Sequence, residues 1–293
     1  MFMPELPEVE TIARGLADRV TGDVIEFVWL GSKPEPLKSA ASEIVAALES
    51  KRIAGVRRVG KHIVFDLENG QRASSPVPRK SRAKSSNTLA TMPDPLSAQW
   101  IVHLGMTGRM LVCNPNQPTE KHTHAIARLA SGRELRFVDP RRFGRLSVAH
   151  GFEAVGSEPL EVELEPFIKL FRGRKTSIKS ALLNQKLLRG VGNIYADESL
   201  FRAGIRPRRR AASLTRKDLP RLYAAIQEVL KEAIELGGSS VSNYVDADGE
   251  EGFFQLKHRV YGRQGEPCLV CKSPIKRVVI AGRSSHYCPK CQK

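Results

Sequence analysis

The chain has 293 residues, 41% of them hydrophobic, and its 47 Lys and Arg against 31 Asp and Glu give a formal net charge of +16. This length can bury two domain cores; no apolar run is long enough to span a membrane, and the acidic start does not read as a signal peptide. The excess of positive charge implies a polyanionic partner, most often nucleic acid.

The first nine informative residues, Met3-Pro4-Glu5-Leu6-Pro7-Glu8-Val9-Glu10-Thr11, hold two prolines and three carboxylates. Pro7 followed by Glu8 and Glu10 is an ordinary helix start, and Val9, Ile12, Leu16 and Val20 form a core-facing stripe to residue 20. Pro4 and Glu5 admit a second reading. A chain beginning at Pro4 exposes a secondary amine with a pKa near ~8, far below the ~10.4 of a lysine, so more of it is nucleophilic at neutral pH. Attack on a sugar C1′ gives an iminium that is cationic without needing a proton, and Glu5 stands ready to move protons.

Residues 23–30 then read as a strand, Ala41–Leu48 as a short helix, and 53–58 and 62–67 as alternating strands, with Glu68-Asn69-Gly70 as a turn. Strands at 99–104, 109–112, 124–129, 134–138 and Arg145–Ala149 continue the pattern, with a tight turn at Ser131-Gly132. Short strands joined by hairpins predict an antiparallel sandwich with helices against it. From about 72 to 98 the pattern stops. Arg72, Arg79, Lys80, Arg82 and Lys84 face Asp94 alone, which reads as a disordered basic insertion, a solvated loop before a DNA tether.

Three points in this half invite a function. Lys61 follows Gly60 at the mouth of a strand, as a solvated lysine or a phosphate contact. Met106 sits on the Gly-bracketed turn His103-Leu104-Gly105-Met106-Thr107-Gly108, where it has no core to fill and suits insertion into a partner. Asp139-Pro140-Arg141-Arg142-Phe143-Gly144 carries a flat cation and an aromatic together, the pairing that base-stack invasion uses.

From about Leu160 the period becomes helical, with helices over 167–171, 177–183, 195–203 and 216–236. Arg189-Gly190-Val191-Gly192-Asn193 precedes one of them. Its glycines allow close approach, its helix N-terminus suits a phosphate, and Asn193 is either a cap or a donor. Arg206, Arg208, Arg209 and Arg210 extend the basic face. The stretch 237–255 is Gly-, Ser- and Asp-rich and reads as a surface loop over a ligand. Last, Cys268-x-x-Cys271 and Cys288-x-x-Cys291 enclose sixteen residues, the spacing of a four-thiolate structural zinc site. Its ribbon strands are expected at 278–280 and 286–287, with Arg283 in the turn between them. Four clustered cysteines plus Cys113 alone, a buried thiol, argue for a reducing cytoplasm rather than disulfides.

Taken in order, Pro4–Thr11, Gly60-Lys61, His103–Gly108, Asp139–Gly144, Gly190–Glu198 and Val260–Cys291 resemble the bacterial formamidopyrimidine-DNA glycosylases of the Fpg/Nei family, over nearly the whole chain. The resemblance implies an α+β multidomain fold: residues 1–150 a β-sandwich catalytic domain, 151–258 a helix–two-turn–helix DNA-binding domain with its lesion loop at 237–255, and 259–293 a β-hairpin zinc finger holding one structural Zn2+ on Cys268, Cys271, Cys288 and Cys291. It implies a base-excision repair glycosylase and abasic-site lyase that flips oxidised purines out of duplex DNA. Pro4 would be the Schiff-base nucleophile and Glu5 its acid/base partner, with Lys61 and Arg283 assisting. His103, Met106, Arg141, Phe143, Lys179, Asn193 and Arg283 would contact DNA. Glu8, Ser239, Ser240 and Tyr244 would shape the lesion pocket. A cytoplasmic monomer acting on damaged double-stranded DNA, with no membrane partner, is expected. The alternatives are an endonuclease VIII-like enzyme for oxidised pyrimidines, or a non-catalytic zinc-ribbon DNA-binding protein if residues 1–3 remain attached. Because Met1-Phe2-Met3 would block the Pro4 amine, translation is expected to start at Met3, which is removed readily before proline.

Overall fold

The computed structural model describes residues 3–70, 98–240 and 252–293. The expected basic insertion at 72–97 and Tyr244 lie outside them.

Helix α1 spans Leu6–Val20, one residue earlier than the sequence predicts, with Glu5 as the residue before it. The early start has a local cause: the Glu8 carboxylate reaches back to accept the Glu5 N–H at 2.8 Å, half of a capping box. Val9, Ile12, Ala13, Leu16 and Val20 point into the first core, while Leu6 points the other way into the second.

Eight strands then form two four-stranded antiparallel sheets. They are β1 Ile25–Leu30, β2 Lys51–Val59, β3 His62–Asn69, β4 Ala98–His103, β5 Arg109–Cys113, β6 Thr123–Leu129, β7 Glu134–Val138 and β8 Arg145–Ala149, with helix α2 Ala41–Leu48 after β1. One sheet runs β2-β3-β4-β8, the other β1-β6-β7-β5. The predicted sandwich is therefore present. Asn69, read as part of a turn, belongs to β3 and pairs with Lys51, and Ala98 belongs to β4 rather than to the insertion. Burial along β3 and β4 does not alternate cleanly. Their outer face is covered too: Val59, Val64 and Ile101 pack beneath Ala149, Phe152 and Ala154.

The second half is helical: α3 Leu164–Phe171, α4 Ile178–Leu182, α5 Asn193–Arg202 and α6 Asp218–Glu235. Helix α6 begins two residues after the expected 216, and Thr215 and Asp218 exchange hydrogen bonds at this end, Asp218 N–H to Thr215 Oγ1 and Thr215 N–H to Asp218 Oδ2. These helices enclose a core with Phe167, Phe171, Tyr195, Ile226 and Phe254 at its centre. Strands β9 Lys276–Ile280 and β10 Arg283–Tyr287 make the terminal hairpin. Its two-residue turn has Ala281 and Gly282 both at positive φ, which matches a type I′ turn. Arg283 is thus the first residue of a strand opposite Ile280 and not, as the sequence suggested, a turn residue. Among the described residues no helix is long and apolar enough to cross a membrane.

The two halves meet along α1. Arg58 on β2 donates to Glu10 at 2.7 Å and makes a two-pronged pair with Glu158 at 2.9 and 3.0 Å, and Arg189 adds a third contact to Glu158. Leu6 carries the apolar part of this junction. It is fully buried, and its N–H donates to Gly190 O at 3.0 Å. Leu6→Ala is expected to lower unfolding free energy by about 2–5 kcal/mol, read from urea midpoints at an unchanged slope. A smaller loss would mean that the two cores do not depend on α1 as a shared element.

Candidate active site

Glu5 is delivered to the first turn of α5, where Ile194 N–H donates to Oε1 at 3.0 Å and Tyr195 N–H to Oε2 at 3.4 Å. A carboxylate at a helix N-terminus satisfies orphan donors and meets the positive end of the dipole. Two glycines make this possible. A Cβ on Gly192 would lie 2.2 Å from the Glu5 carboxyl carbon, and one on Gly190, which has φ +89°, would lie 2.9 Å from Leu6 Cβ. The room that the sequence reserved for a phosphate is taken by the chain's own start. Gln185 fixes the turn by accepting Gly190 N–H and donating to Val191 O.

Glu5, Lys61, Met106, Gly192, Asn193, Tyr261 and Arg283 line one cavity of about 220 Å3, together with Met3. Pro4 is buried beside it. Burial raises the Glu5 pKa, opposed by the nearby Lys61 ammonium and by backbone N–H groups of 192–195. Burial likewise lowers that of Lys61, opposed by the Glu5 and Glu8 charges and helped by Arg283. Glu8 lies one layer behind, fully buried. It accepts from Glu5 N–H, from the Tyr195 hydroxyl and from Ser239 N–H at 2.8 Å. Desolvation, and then repulsion from Glu5, push it to about 7.

Met106, Arg141 and Phe143 stand on two loops fastened to each other. The buried Asp139 carboxylate accepts the Thr107 hydroxyl at 2.5 Å, Arg141 N–H at 3.2 Å and Gly144 N–H at 2.7 Å. Gly105, at φ +65°, lets the first loop lie against the backbone of Phe143-Gly144. At the tip the Arg141 guanidinium sits 4.8 Å over the Phe143 ring, which is 48% exposed. His103 braces the first loop by accepting Gly105 N–H at 3.1 Å on Nδ1. Burial, reinforced by His62, lowers its pKa to about 4, so it is neutral and carries its proton on Nε2.

Other expectations need correction. Lys179 does not present its ammonium to solvent or to a phosphate. Its side chain is wholly buried, with Nζ 2.6 Å from Asp197 and 2.8 Å from Ser284 O, so its role is internal. Ser240 is not among the residues that line this cavity. It staples the loop base, donating N–H to Gln255 and accepting Gly252 N–H. Ser239 remains beside Glu8, its Oγ 3.1 Å from His258 Nε2. Sequence reasoning missed Tyr261, which lines the cavity near Asn193 and whose pKa burial raises, and the organising roles of Asp139 and Gln185. Asp139-Pro140, a strong turn-initiating pair, was the available signal for the first.

The four sulfurs of Cys268, Cys271, Cys288 and Cys291 all lie within 4.8 Å of one another, with separations of 3.9 Å for Cys268–Cys291 and 3.4 Å for Cys271–Cys288. Tetrahedral zinc with ~2.3 Å Zn–S bonds needs sulfurs about 3.8 Å apart, so the donor set fits one zinc ion. Four thiolates complete its shell, which makes the metal structural.

Comparison with known proteins follows the same division. Residues 3–146 match the formamidopyrimidine-DNA glycosylase N-terminal domain, 155–245 the formamidopyrimidine-DNA glycosylase H2TH domain, and 265–293 the zinc finger found in FPG and IleRS. Formamidopyrimidine-DNA glycosylase of Solibacter usitatus is 44% identical, covering 99% of this chain and 100% of the relative, and that of Desulfitobacterium hafniense is 40% identical with the same coverage. The crystal structure of MutM (Fpg) from Thermus thermophilus superposes with a TM-score of 0.80 at 40% identity over 99% of this chain and 98% of that one. Lactococcus lactis Fpg in complex with abasic-site DNA gives 0.83 at 31% identity over 99% of both.

The raised Glu8 has a consequence for stability. Its carboxyl titrates near 7 when folded against 4.5 ordinarily. Between these values the folded state holds a proton that the unfolded chain has lost. Stability from this group is complete below about 4.5 and is lost as pH rises through about 7. Urea unfolding at stepped pH should show the native protein losing about 2 kcal/mol more than Glu8→Gln between pH 5 and 7.5. Parallel curves would show that Glu8 is ionised throughout.

Proposed function

The chain belongs to the formamidopyrimidine-DNA glycosylase family, and from that premise we propose how its own residues divide the work. It is a base-excision repair enzyme, a DNA glycosylase that is also an abasic-site lyase. Its substrate is damaged double-stranded DNA, and we assign it the oxidised purines 8-oxoguanine and formamidopyrimidine. The observation that carries the assignment of roles is the convergence of Glu5, Lys61, Asn193 and Arg283 on one cavity at the start of the chain.

The Pro4 amine attacks C1′ of the flipped nucleotide and the base departs with the amine's proton; the C1′–O4′ bond then breaks, O4′ takes a proton from Glu5, and the open-chain iminium forms. Glu5 is the proton carrier: its burial keeps a proton within reach, and the α5 amides hold its charge when the proton leaves. Loss of the C2′ proton from the iminium expels the 3′ phosphate, and a second elimination expels the 5′ phosphate. Lys61, whose ammonium gives up its proton more readily because it is buried, assists these proton movements beside the phosphates. Asn193 and Arg283 grip phosphate. Tyr261 joins them as a donor. Met106, Arg141 and Phe143 enter the stack vacated by the flipped base, and their attachment through Asp139 makes the wedge rigid enough to offset an unstacking cost of a few kcal/mol. Glu8 and Ser239 form the floor of the base pocket, and neutral His103 offers an Nε2–H to the backbone. The zinc supplies folding energy to the hairpin and takes no part in the reaction. The expected setting is the bacterial cytoplasm, as a monomer on DNA.

This chemistry requires a free Pro4 amine, since Met3 bonded to it makes an unreactive tertiary amide. Borohydride trapping on an 8-oxoguanine:C duplex, paired with intact mass, tests the assignment. Protein whose mass begins at Pro4 should form a covalent adduct efficiently, and protein retaining Met3 should form none. Adduct formation by the Met3-bearing form would remove Pro4 from its role, and preferential trapping on thymine glycol would move the enzyme to the pyrimidine branch.

Gly192→Ala probes Glu5 without changing any reacting group. Its backbone is extended, so an alanine is not strained there, but the Cβ must displace the carboxylate. Single-turnover base release should slow on the order of 100-fold with little change in DNA affinity. Unchanged release would mean that the seat of Glu5 on α5 is unimportant.

A further inference from the structure

The terminal hairpin has only two strands, and such a ribbon is marginally stable alone and carries an unpaired edge. In β10, Arg283, Ser285 and Tyr287 face β9 in the hydrogen-bonded register set by the two-residue turn, which leaves Ser284 O and His286 N–H on the outer edge. Neither is left to solvent. His286 N–H donates to Asp197 Oδ2 at 2.8 Å, and Ser284 O accepts from Lys179 Nζ at 2.8 Å. Asp197 Oδ1 and Lys179 Nζ close the ring at 2.6 Å, with both side chains wholly buried. An ion pair between α4 and α5 thus does for β10 what a third strand would do.

We propose that Asp197 is a positioning residue for the reaction: it sets the register of β10 against α5, and so places Arg283 in the Glu5 cavity. This rests on the reading of Arg283 as a phosphate contact. Asp197 stands one turn beyond Asn193 on the helix whose amides hold Glu5. One carboxylate therefore references the zinc hairpin to the same helix that references the proton carrier. Arg283 is adjacent to Ser284 and is exposed on the cavity wall. A two-residue slip of β10 would carry it about 7 Å away. A buried ion pair adds little to stability over apolar residues of similar size, and its attested use is to fix register. The pair's two hydrogen bonds to backbone, both on one strand edge, are that kind of constraint, and His286 Nδ1 lies 3.3 Å from the same Asp197 Oδ2.

The test is a double-mutant cycle on the full-length, zinc-loaded protein, read as binding to a duplex bearing a tetrahydrofuran abasic analogue across a salt series. Arg283→Ala should weaken binding roughly tenfold and reduce the salt slope by about one. Asp197→Asn should do nearly the same alone and should add less than about twofold in the Arg283→Ala background, because the arginine it positions is gone. Lys179→Met/Asp197→Leu covers the case in which a lone buried lysine unfolds the protein: it should keep its zinc and its thermal midpoint, yet show the same loss. Additive losses near a hundredfold, or native-like binding by the apolar pair, would overturn the proposal. Native-like binding by Arg283→Ala would instead overturn the phosphate assignment on which it rests.

Discussion

The contact between the Glu5 carboxylate and the first amides of α5 is the constraint from which the rest of the site follows. It joins residue 5 to residues 194 and 195 across nearly two hundred positions of chain. Helix α1 must then run back across the sandwich, with Leu6 in one core and Val9 onward in the other. Gly190 and Gly192 have to be glycines because the start of the chain lies on them. The same contact places the buried residue before Glu5 beside the cavity that Lys61, Asn193 and Arg283 complete. The proposed proton carrier, the helix dipole and the domain junction are therefore one arrangement.

Around this fixed centre the structure presents two rigid loops to the outside. In the proposed role of these loops as a wedge in a base stack, they have to resist being pushed back, and a flexible loop would lose the benefit to ordering entropy. Asp139 prevents this by taking three donors from two loops on one buried carboxylate. Arg142 sits at φ +57° between the two projecting side chains and pairs with Glu35. The left-handed backbone there turns Arg141 and Phe143 out together, so that the cation lies on the ring.

Sequence reading reached the sandwich, the helices and the zinc site because each is a local pattern. Period two, period 3.6 and the Cys-x-x-Cys spacing are visible within windows of a few residues. It also found the cavity residues, through motif order and resemblance. It misjudged what depends on tertiary neighbours. Lys179, which the resemblance implied as a DNA contact, is a buried strut, and its partner Asp197 is eighteen residues away on another helix. The glycines of 190–192 read as phosphate space, and the occupant is Glu5. Arg283 reads as a turn residue because the positive φ of Ala281 cannot be inferred from alanine. Tyr261 had no pattern of its own and is placed by Glu198, which accepts the N–H groups of 259–261.

The burial of so many charges in a protein of net charge +16 has a chemical logic. In water a lysine and a glutamate titrate six units apart, 10.5 against 4.5, so moving a proton from the ammonium to the carboxylate is uphill by about 8 kcal/mol. Burial penalises each charged form, raising the acid and lowering the base, and so brings Glu5 and Lys61 toward each other. Their mutual attraction and the α5 amides act in the opposite sense. A sequence of proton transfers that starts with base departure and ends with two eliminations needs groups that can both give and take near neutral pH. The enclosure that shifts both groups in these directions is made from backbone: the 190–192 turn, the first turn of α5, and the strand whose outer edge Asp197 and Lys179 bond.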